Sequence, residues 1–446
     1  MKKENDRGYK QDGLRERFWR EDDINHNLLP QSAPETITER SRGASKFSID
    51  HRRQEEGDLG GIFIKSLKVR IYPDEEQRTL IEKHFGSTRF VWNYFLRKRK
   101  EYYDNGKSMS KFDTMDALRN LKKEYVWLSE VNSQSLQQSL IKLDIAFKAF
   151  FKHNSSYPAF RSKKDNQYFI VPQSFSFKEQ GIQLPKFRRA IRFKDKSPIP
   201  EKVKQVIITR DVDRYYASIQ YESDEKPSKG GGVMGIDLGV KHFLTTSDGL
   251  QVEPLNITRK MEKKLKKEHR RLSRKKKGSA NRKKQITKVR KIYQHIRDAR
   301  TDFNHKVSTA IAKHNGIVVI EDLNIQGMVQ NHHIAKSIID QGWYQFKQML
   351  QYKLQWRNAN LVEIGRFDPS SKLCSNCGNI KHDLKLSDRV YHCDVCGLTM
   401  DRDINAAINI RNIGLIKIGQ GMPEFTPVES ATTAELLKGG LRLATL

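Results

Sequence analysis

Four cysteines, and only four, fall within one short window of a 446-residue chain, as Cys374-Ser-Asn-Cys377 and Cys393-Asp-Val-Cys396. Each C-x-x-C knuckle is followed by glycine and offers two thiols at the angle a tetrahedral ion requires, and Zn²⁺ accepts four thiolates in that geometry. The stretch between the knuckles is long enough for a short hairpin, so the pair predicts a zinc ribbon over about 370–400. With sulfur in all four positions no place is left for water, which makes one structural zinc the expectation. A secreted disulfide fold would use more cysteines in a much shorter chain. The plain alternative, four unpaired thiols, is disfavoured by the paired spacing.

A structural ion does no chemistry, so reactive groups are sought elsewhere. Val233-Met-Gly-Ile-Asp-Leu-Gly239 places Asp237 at the end of an apolar strand, and a strand-like pattern resumes over Lys241–Thr246, as in an RNase H-like hairpin. Alone, Asp-x-Gly is a weak signal, because both residues are common at turns. A second apolar run, Gly316–Ile320, ends in Glu321-Asp322, at the carboxyl edge where open α/β sheets place ligands. Asp401-Arg-Asp403 precedes a helical pattern at 404–410, so Asp403 lies near a helix N-terminus, where it could serve as a cap. Two Mg²⁺ ions acting on a phosphodiester need hard oxygen ligands close together, and three carboxylates on separate elements could supply them. Three unrelated caps and turns remain the alternative.

Charge narrows the partner. Lys and Arg total 83 against 53 acidic residues, a net charge of +30, and so large an excess favours a polyanion through counterion release. No apolar run approaches the roughly 20 residues of a membrane span, and the polar N-terminus lacks a signal-peptide core, so a cytoplasmic protein is expected. Between Asn256 and Arg300 roughly twenty basic residues stand among helix formers with very few acids. Such one-sided charge on a helix costs self-repulsion, and Lys263, Lys266, Arg270, Arg274 and Lys275 are candidate phosphate contacts.

Periodicity divides the rest. Residues 1–60 mix charges without periodicity and read as a disordered extension. Alternation at Leu67, Val69 and Ile71 before Pro73 marks a strand. Asp74–Tyr103 reads as helical, with acids in its first turn and basic residues in its last, and Leu136, Leu140, Leu143, Phe147 and Phe151 form a helix stripe that Asn132 and Ser133 can cap. Strand-like runs at Tyr168–Val171, Val206–Thr209 and Tyr215–Tyr221 suggest a small β-barrel completed by the strand at 62–72, with helices inserted at about 74–155. Ser228–Gly232 reads as a linker.

The ordered set Gly235-Ile-Asp-Leu-Gly239, Val319-Ile-Glu-Asp-Leu-Asn324, two C-x-x-C knuckles and Asp401-Arg-Asp-Ile-Asn-Ala-Ala407 resembles the TnpB (OrfB) proteins of bacterial and archaeal insertion sequences. Lys68-Val-Arg-Ile-Tyr-Pro73, Arg89-Phe-Val-Trp-Asn93, Gly342-Trp-Tyr-Gln-Phe346 and Ser370-Ser-Lys-Leu-Cys374 resemble them too, so the likeness runs from about residue 62 to about 427. The resemblance implies an α/β multidomain fold. A wedge-like β-barrel domain with its helical insertion is expected over 61–230, a RuvC-type RNase H-like nuclease with an inserted zinc ribbon over 231–427, and a flexible tail over 428–446. It also implies a metal-dependent, RNA-guided DNA endonuclease with a guide RNA from the transposon end and double-stranded DNA as target. Asp237, Glu321 and Asp403 would be the Mg²⁺-binding triad, with Asp401 a rival for the last place, and Arg89 and Asn93 would contact nucleic acid. A nuclease-independent RNA-guided regulator, a transposition accessory protein and a strand-joining transposase are the competing readings.

Overall fold

The computed structural model of the chain describes residues 63–419 apart from 179–180, 196–197, 225–226, 333 and 386. The extension expected over 1–60 and the tail expected over 428–446 lie outside the described residues. Two compact units part between Ser223 and Asp224. No described helix is long and apolar enough to cross a membrane.

The first unit opens with β1 (Phe63–Tyr72), followed by α1 (Glu75–Asp104), α2 (Lys111–Glu124), a single 3₁₀ turn (Val126–Glu130) and α3 (Ser133–Phe151). Then come β2 (Gln167–Val171), β3 (Ser176–Lys178), β4 (Gly181–Gln183), β5 (Ile191–Phe193), β6 (Val203–Asp211) and β7 (Arg214–Ser223). Asp74 and Gln77 start α1 with a reciprocal capping box, satisfying amides the first turn leaves open. The helix runs on to Asp104 and carries no basic residue in its last turn, so the expected charge pattern holds only at its start. Its first half buries Ile81 and Phe85 against the sheet. Its second half packs Val91, Trp92, Phe95 and Leu96 against α2 and the Leu136, Leu140, Leu143 and Phe147 stripe of α3. The seven strands pair in the order β2-β6-β7-β1-β5-β4-β3. Among the described residues no ladder joins β2 to β3, so the expected barrel is an open sheet. The helices do stand between its first and second strands.

The second unit carries β8 (Gly232–Asp237), β9 (Leu244–Thr246), β10 (Gln251–Val252), α4 (Ile257–Ser273), α5 (Ala280–His314), β11 (Asn315–Glu321), α6 (Ile325–Val329), α7 (Ala335–Gln341), α8 (Trp343–Trp356) and β12 (Asn360–Ile364). A two-stranded ribbon of β13 (Val390–His392) and β14 (Thr399–Asp401) leads into α9 (Arg402–Lys417). The sheet order is β10-β9-β8-β11-β12. β8, β9 and β10 form an antiparallel meander, whereas β8, β11 and β12 run parallel.

Alternation along the strands sorts their side chains between two layers. Met234, Ile236, Val318 and Ile320 point into a core with Phe303, Val307 and Ile311 of α5 and Trp343, Phe346 and Leu350 of α8. Val233, Ile317, Val319, Val362 and Ile364 point the other way, against Ile410 and Leu415 of α9. The Ser228–Gly232 stretch is not a free tether. A Cβ on Gly230 would stand 2.3 Å from the His314 carbonyl carbon, and one on Gly316 would stand 2.5 Å from the Gly230 oxygen. Glycine here permits two backbones to touch at the start of the parallel pair.

Candidate functional site

Asp237 is the last residue of β8 and Glu321 the last of β11. Ile236 is level with Ile320 across the parallel ladder, so the two acids are level as well, on strands that neighbour at roughly 4.8 Å. Both have odd numbers and share the face of Val233, Ile317 and Val319, which is the face α9 covers. Gly235, two residues before Asp237, explains how closely α9 sits: a Cβ there would lie 2.1 Å from the Ala407 carbonyl oxygen. Gly414 likewise faces Val319, where an added Cβ would lie 2.3 Å from Cγ1. Asp403 precedes Ala407 by four residues, one helical turn on the same face, and so comes to the carboxyl edge where Asp237 and Glu321 end.

Electrostatics register this convergence. Desolvation, then the charges of Asp403 and Glu321, push the half-buried Asp237 carboxyl up to about 7, against a smaller opposing pull from Arg402. Burial also raises Glu321, whose Oε1 accepts a 3.4 Å hydrogen bond from Ser370 Oγ, with Asp368 and Asp322 adding like charge. Asp401 takes the cap: its Oδ1 accepts from the amides of Asp403 at 2.9 Å and Ile404 at 3.2 Å. Capping thus falls to Asp401, not Asp403. The carboxylates do not close into a tight ligand set; among the described residues the four cysteines alone do so. Like charge between the acids raises the Asp237 carboxyl, and hard oxygen donors at a raised carboxyl are chemically suited to a divalent cation.

The cysteines meet a stricter test. All four sulfurs lie within 4.8 Å of one another, with Cys374–Cys396 at 3.5 Å and Cys377–Cys393 at 3.6 Å. Zinc–sulfur bonds of about 2.3 Å in a tetrahedron put sulfurs about 3.8 Å apart. The knuckles are built alike: Gly378 N donates to Cys374 O and Gly397 N to Cys393 O, at 3.0 and 2.9 Å. Both glycines have φ of 75°, which a side chain would strain. A hydrogen bond from Asn376, then one from the Leu398 amide, draws Cys396 down to about 6. The Asn379 amide also favours the Cys377 thiolate, yet burial and the neighbouring sulfurs together push that thiol up to about 12. Two thiols drawn toward the thiolate and two held back from it suit a cation that would bind all four as thiolates.

The candidate nucleic-acid residues divide. Lys263, Lys266 and Arg270 are exposed on α4, which spends one stripe, Ile257, Leu265, Glu268 and Leu272, on burial, and Arg274 and Lys275 are exposed just beyond its end. Lys266 also pairs with Glu262 at 3.1 Å. In the first unit Asn93 is spent on the Arg161 backbone, donating to its oxygen and accepting from its nitrogen at 2.8 Å each. Arg89 donates to Gln167 Oε1. Both act as struts, and these bonds fix the amide of Asn93 on its own unit's backbone.

Sequence reasoning quoted Gly235, Ser370 and Asn405 only within longer motifs, without a role of their own, and left Asn409 in the helical pattern at 404–410. A glycine two residues before a strand-end acid was a usable signal for close helix packing. The asparagines carried none until their partners were known.

A family described as "Probable transposase" (OrfB_IS605) matches residues 217–332, its "Helix-turn-helix domain" matches 63–108, and a "Cas12f1-like, TNB domain" matches 343–410. Residues 63–108 here are one strand and one long helix. A Streptomyces pristinaespiralis protein named "Putative RNA-guided DNA endonuclease" is 36% identical over 360 residues, covering 79% of this chain and 89% of that protein. "Putative RNA-guided DNA endonuclease InsQ" of Escherichia coli (strain K12) is 31% identical over 394 residues, covering 83% and 98%. A solved Cas12f1-sgRNA-target DNA complex covers 79% of this chain and 99% of that chain at 14% identity and a TM-score of 0.49, too loose a likeness to argue from. The extended identity to the two relatives, with three family segments in order, makes this chain a member of the TnpB (OrfB) family.

Proposed function

We propose that the protein is an RNA-guided DNA endonuclease of a transposable element, cutting phosphodiesters at Asp237, Glu321 and Asp403. The observation that carries this reading is the arrival of three acids, from two parallel strand ends and one helix start, at a single edge of the sheet. The order β10-β9-β8-β11-β12, a meander followed by two parallel strands, supports an RNase H-like core of RuvC type. The names of the relatives support the RNA guide and the DNA target.

The three carboxylates would hold Mg²⁺, two ions in the fullest form of this reading. Bound there, the ions supply Lewis-acid stabilisation of charge on the phosphate oxygens. The protein's part is placement. Gly235 lets α9 lie on the strand so that Asp403 reaches Asp237, Ser370 orients Glu321 through its hydroxyl, and Asp401 caps the helix turn that carries Asp403. Asp237, raised to about 7, is a ligand whose charge a cation would recover. The four cysteines would hold one structural zinc.

The exposed basic residues of α4, and those of α5, would grip nucleic-acid phosphates rather than read bases, since lysine and arginine on a one-sided helix offer charge more than a base-edge pattern. The test is to purify the protein with its RNA, sequence that RNA, and present DNA matching its 3′ end. Mg²⁺-dependent cutting of matched but not scrambled DNA is expected. Binding of matched DNA without cutting would replace this reading with that of a regulator.

A further inference from the structure

We infer that Asn405 and Asn409 strap the zinc ribbon to α9, so that zinc loading fixes where Asp403 and Glu321 stand and so sets their hold on a divalent cation. This rests on the reading of the carboxylates as a metal site.

Both asparagines are sealed from solvent, at 0% and 1% exposure, where an unpaired amide would be costly. Asn405 Oδ1 accepts from Ser375 N at 3.0 Å and its Nδ2 donates to Leu373 O at 2.7 Å. Asn409, one turn on, donates to the same Leu373 oxygen at 2.6 Å and to Ser370 O at 2.8 Å. The residues they grip flank Cys374 on both sides. The far end of that grip is Ser370, whose hydroxyl reaches Glu321. The short segment 370–375 therefore joins a zinc thiol to one of the acids, with α9 clasping it between.

The second knuckle is tied to the same helix by another route. After Cys396, β14 ends at Asp401, and that residue caps α9. Arg402 N donates to Arg389 O at 2.9 Å, and its guanidinium donates to Lys385 O at 3.1 Å and Asp388 O at 3.3 Å. Both halves of the ribbon thus end on the turn that presents Asp403. Loosening the thiols would release Leu373 and Ser375 from one side of that turn and the Asp401 cap from the other. Groups that orient ligands from behind commonly govern metal affinity by tenfold or more.

The test measures zinc content and Mn²⁺ affinity on the full-length protein, the latter from the free Mn²⁺ resonance signal. Wild type should hold one zinc and bind Mn²⁺, and Asp237→Asn should lose the Mn²⁺. Asn405→Ala and Asn409→Ala should each keep their zinc yet bind Mn²⁺ about tenfold more weakly. Zinc-stripped wild type should weaken similarly, which keeps the inference testable if a strap variant misfolds. A merely structural role predicts lower melting temperatures with unchanged Mn²⁺ affinity, and that result, or unchanged affinity after zinc removal, overturns the inference. Mn²⁺ binding that ignores Asp237→Asn would instead overturn the carboxylate reading beneath it.

Discussion

The cysteine cluster and the carboxylate edge would both hold cations, but they are assembled on opposite plans. The thiols come from two adjoining knuckles, lie within 4.8 Å of one another and close a complete shell. The acids come from Asp237, Glu321 and Asp403, on three elements, and leave their set open. A closed soft shell excludes substrate and stabilises local structure, whereas an open hard one leaves room for phosphate. Proximity in sequence accompanies a site that folds a small module. Distance in sequence accompanies a site that the whole sheet must be folded to create.

The largest effect that would sharpen this contrast separates the neighbouring acids at the start of α9. Asp403→Ala should cut DNA cleavage by about 10³-fold or more, about 4 kcal/mol of barrier, with guide RNA binding little changed. Asp401→Ala should cost about 1 kcal/mol of stability through removal of the cap and, by loosening the turn that presents Asp403, lower cleavage by about tenfold, far less than Asp403→Ala. Single-turnover cleavage with chemical melts of both variants decides it, and equal cleavage by Asp403→Ala and wild type would remove that residue from the set.

Next in size is Gly235→Ala. The added methyl meets the Ala407 oxygen, the Arg411 nitrogen and the Arg411 Cβ, none of which can swing away, so a loss of about 3 kcal/mol or more is expected in urea unfolding. Near-neutral behaviour would mean that α9 lies further from β8 than these distances state.

A smaller effect concerns charge. Asp237 rises from an ordinary 3.8 to about 7, so the folded state binds this proton more tightly than the unfolded state. Its contribution to stability is greatest below about pH 4, falls as pH rises to about 7 and is level beyond. In chelator-treated protein Asp237→Asn should therefore melt higher than wild type at pH 8, by about 1–2 kcal/mol after discounting for its partial exposure, and the gap should close toward pH 4. A gap that widens in acid would contradict the burial and like-charge origin of the shift. No such gain is expected from removing a thiol of the zinc shell.

The smallest effect tests the basic helix. Replacing Lys263, Lys266, Arg270 and Lys275 with glutamine should weaken binding alike for unrelated sequences and lower the salt slope by up to about one unit for each phosphate no longer gripped. Superimposable salt series would make this helix a solvated face.

Legibility followed the same division. The ribbon could be read directly because C-x-x-C spacing encodes its own geometry, and the Leu136–Phe147 stripe was clear because helical period and burial agree. The acids could be nominated from strand ends, but their meeting depended on which strands are neighbours and on the shared odd-numbered face, neither of which a local pattern states. Asn405 and Asn409 look like ordinary polar residues of a helix until Leu373 and Ser375 arrive from far along the chain. Gly230 looked like linker because glycine serves flexibility and close approach equally well. α2 was missed because its buried stripe, Thr114, Leu118 and Leu121, is too short to stand out. The barrel was overdrawn because strand count cannot tell a closed sheet from an open one.

The central claim is a division of labour, in which zinc holds the ribbon and the carboxylates cut. It is tested most directly by following zinc content and cleavage of guide-matched DNA in one sample of RNA-loaded protein, as weakly held ions are removed and Mg²⁺ is returned. That division predicts one zinc per chain throughout, no cleavage without Mg²⁺, full cleavage when it is restored, and none at any Mg²⁺ concentration for Asp237→Ala with its zinc intact. Cleavage by protein holding zinc alone, or by Asp237→Ala at the wild-type rate, would contradict it.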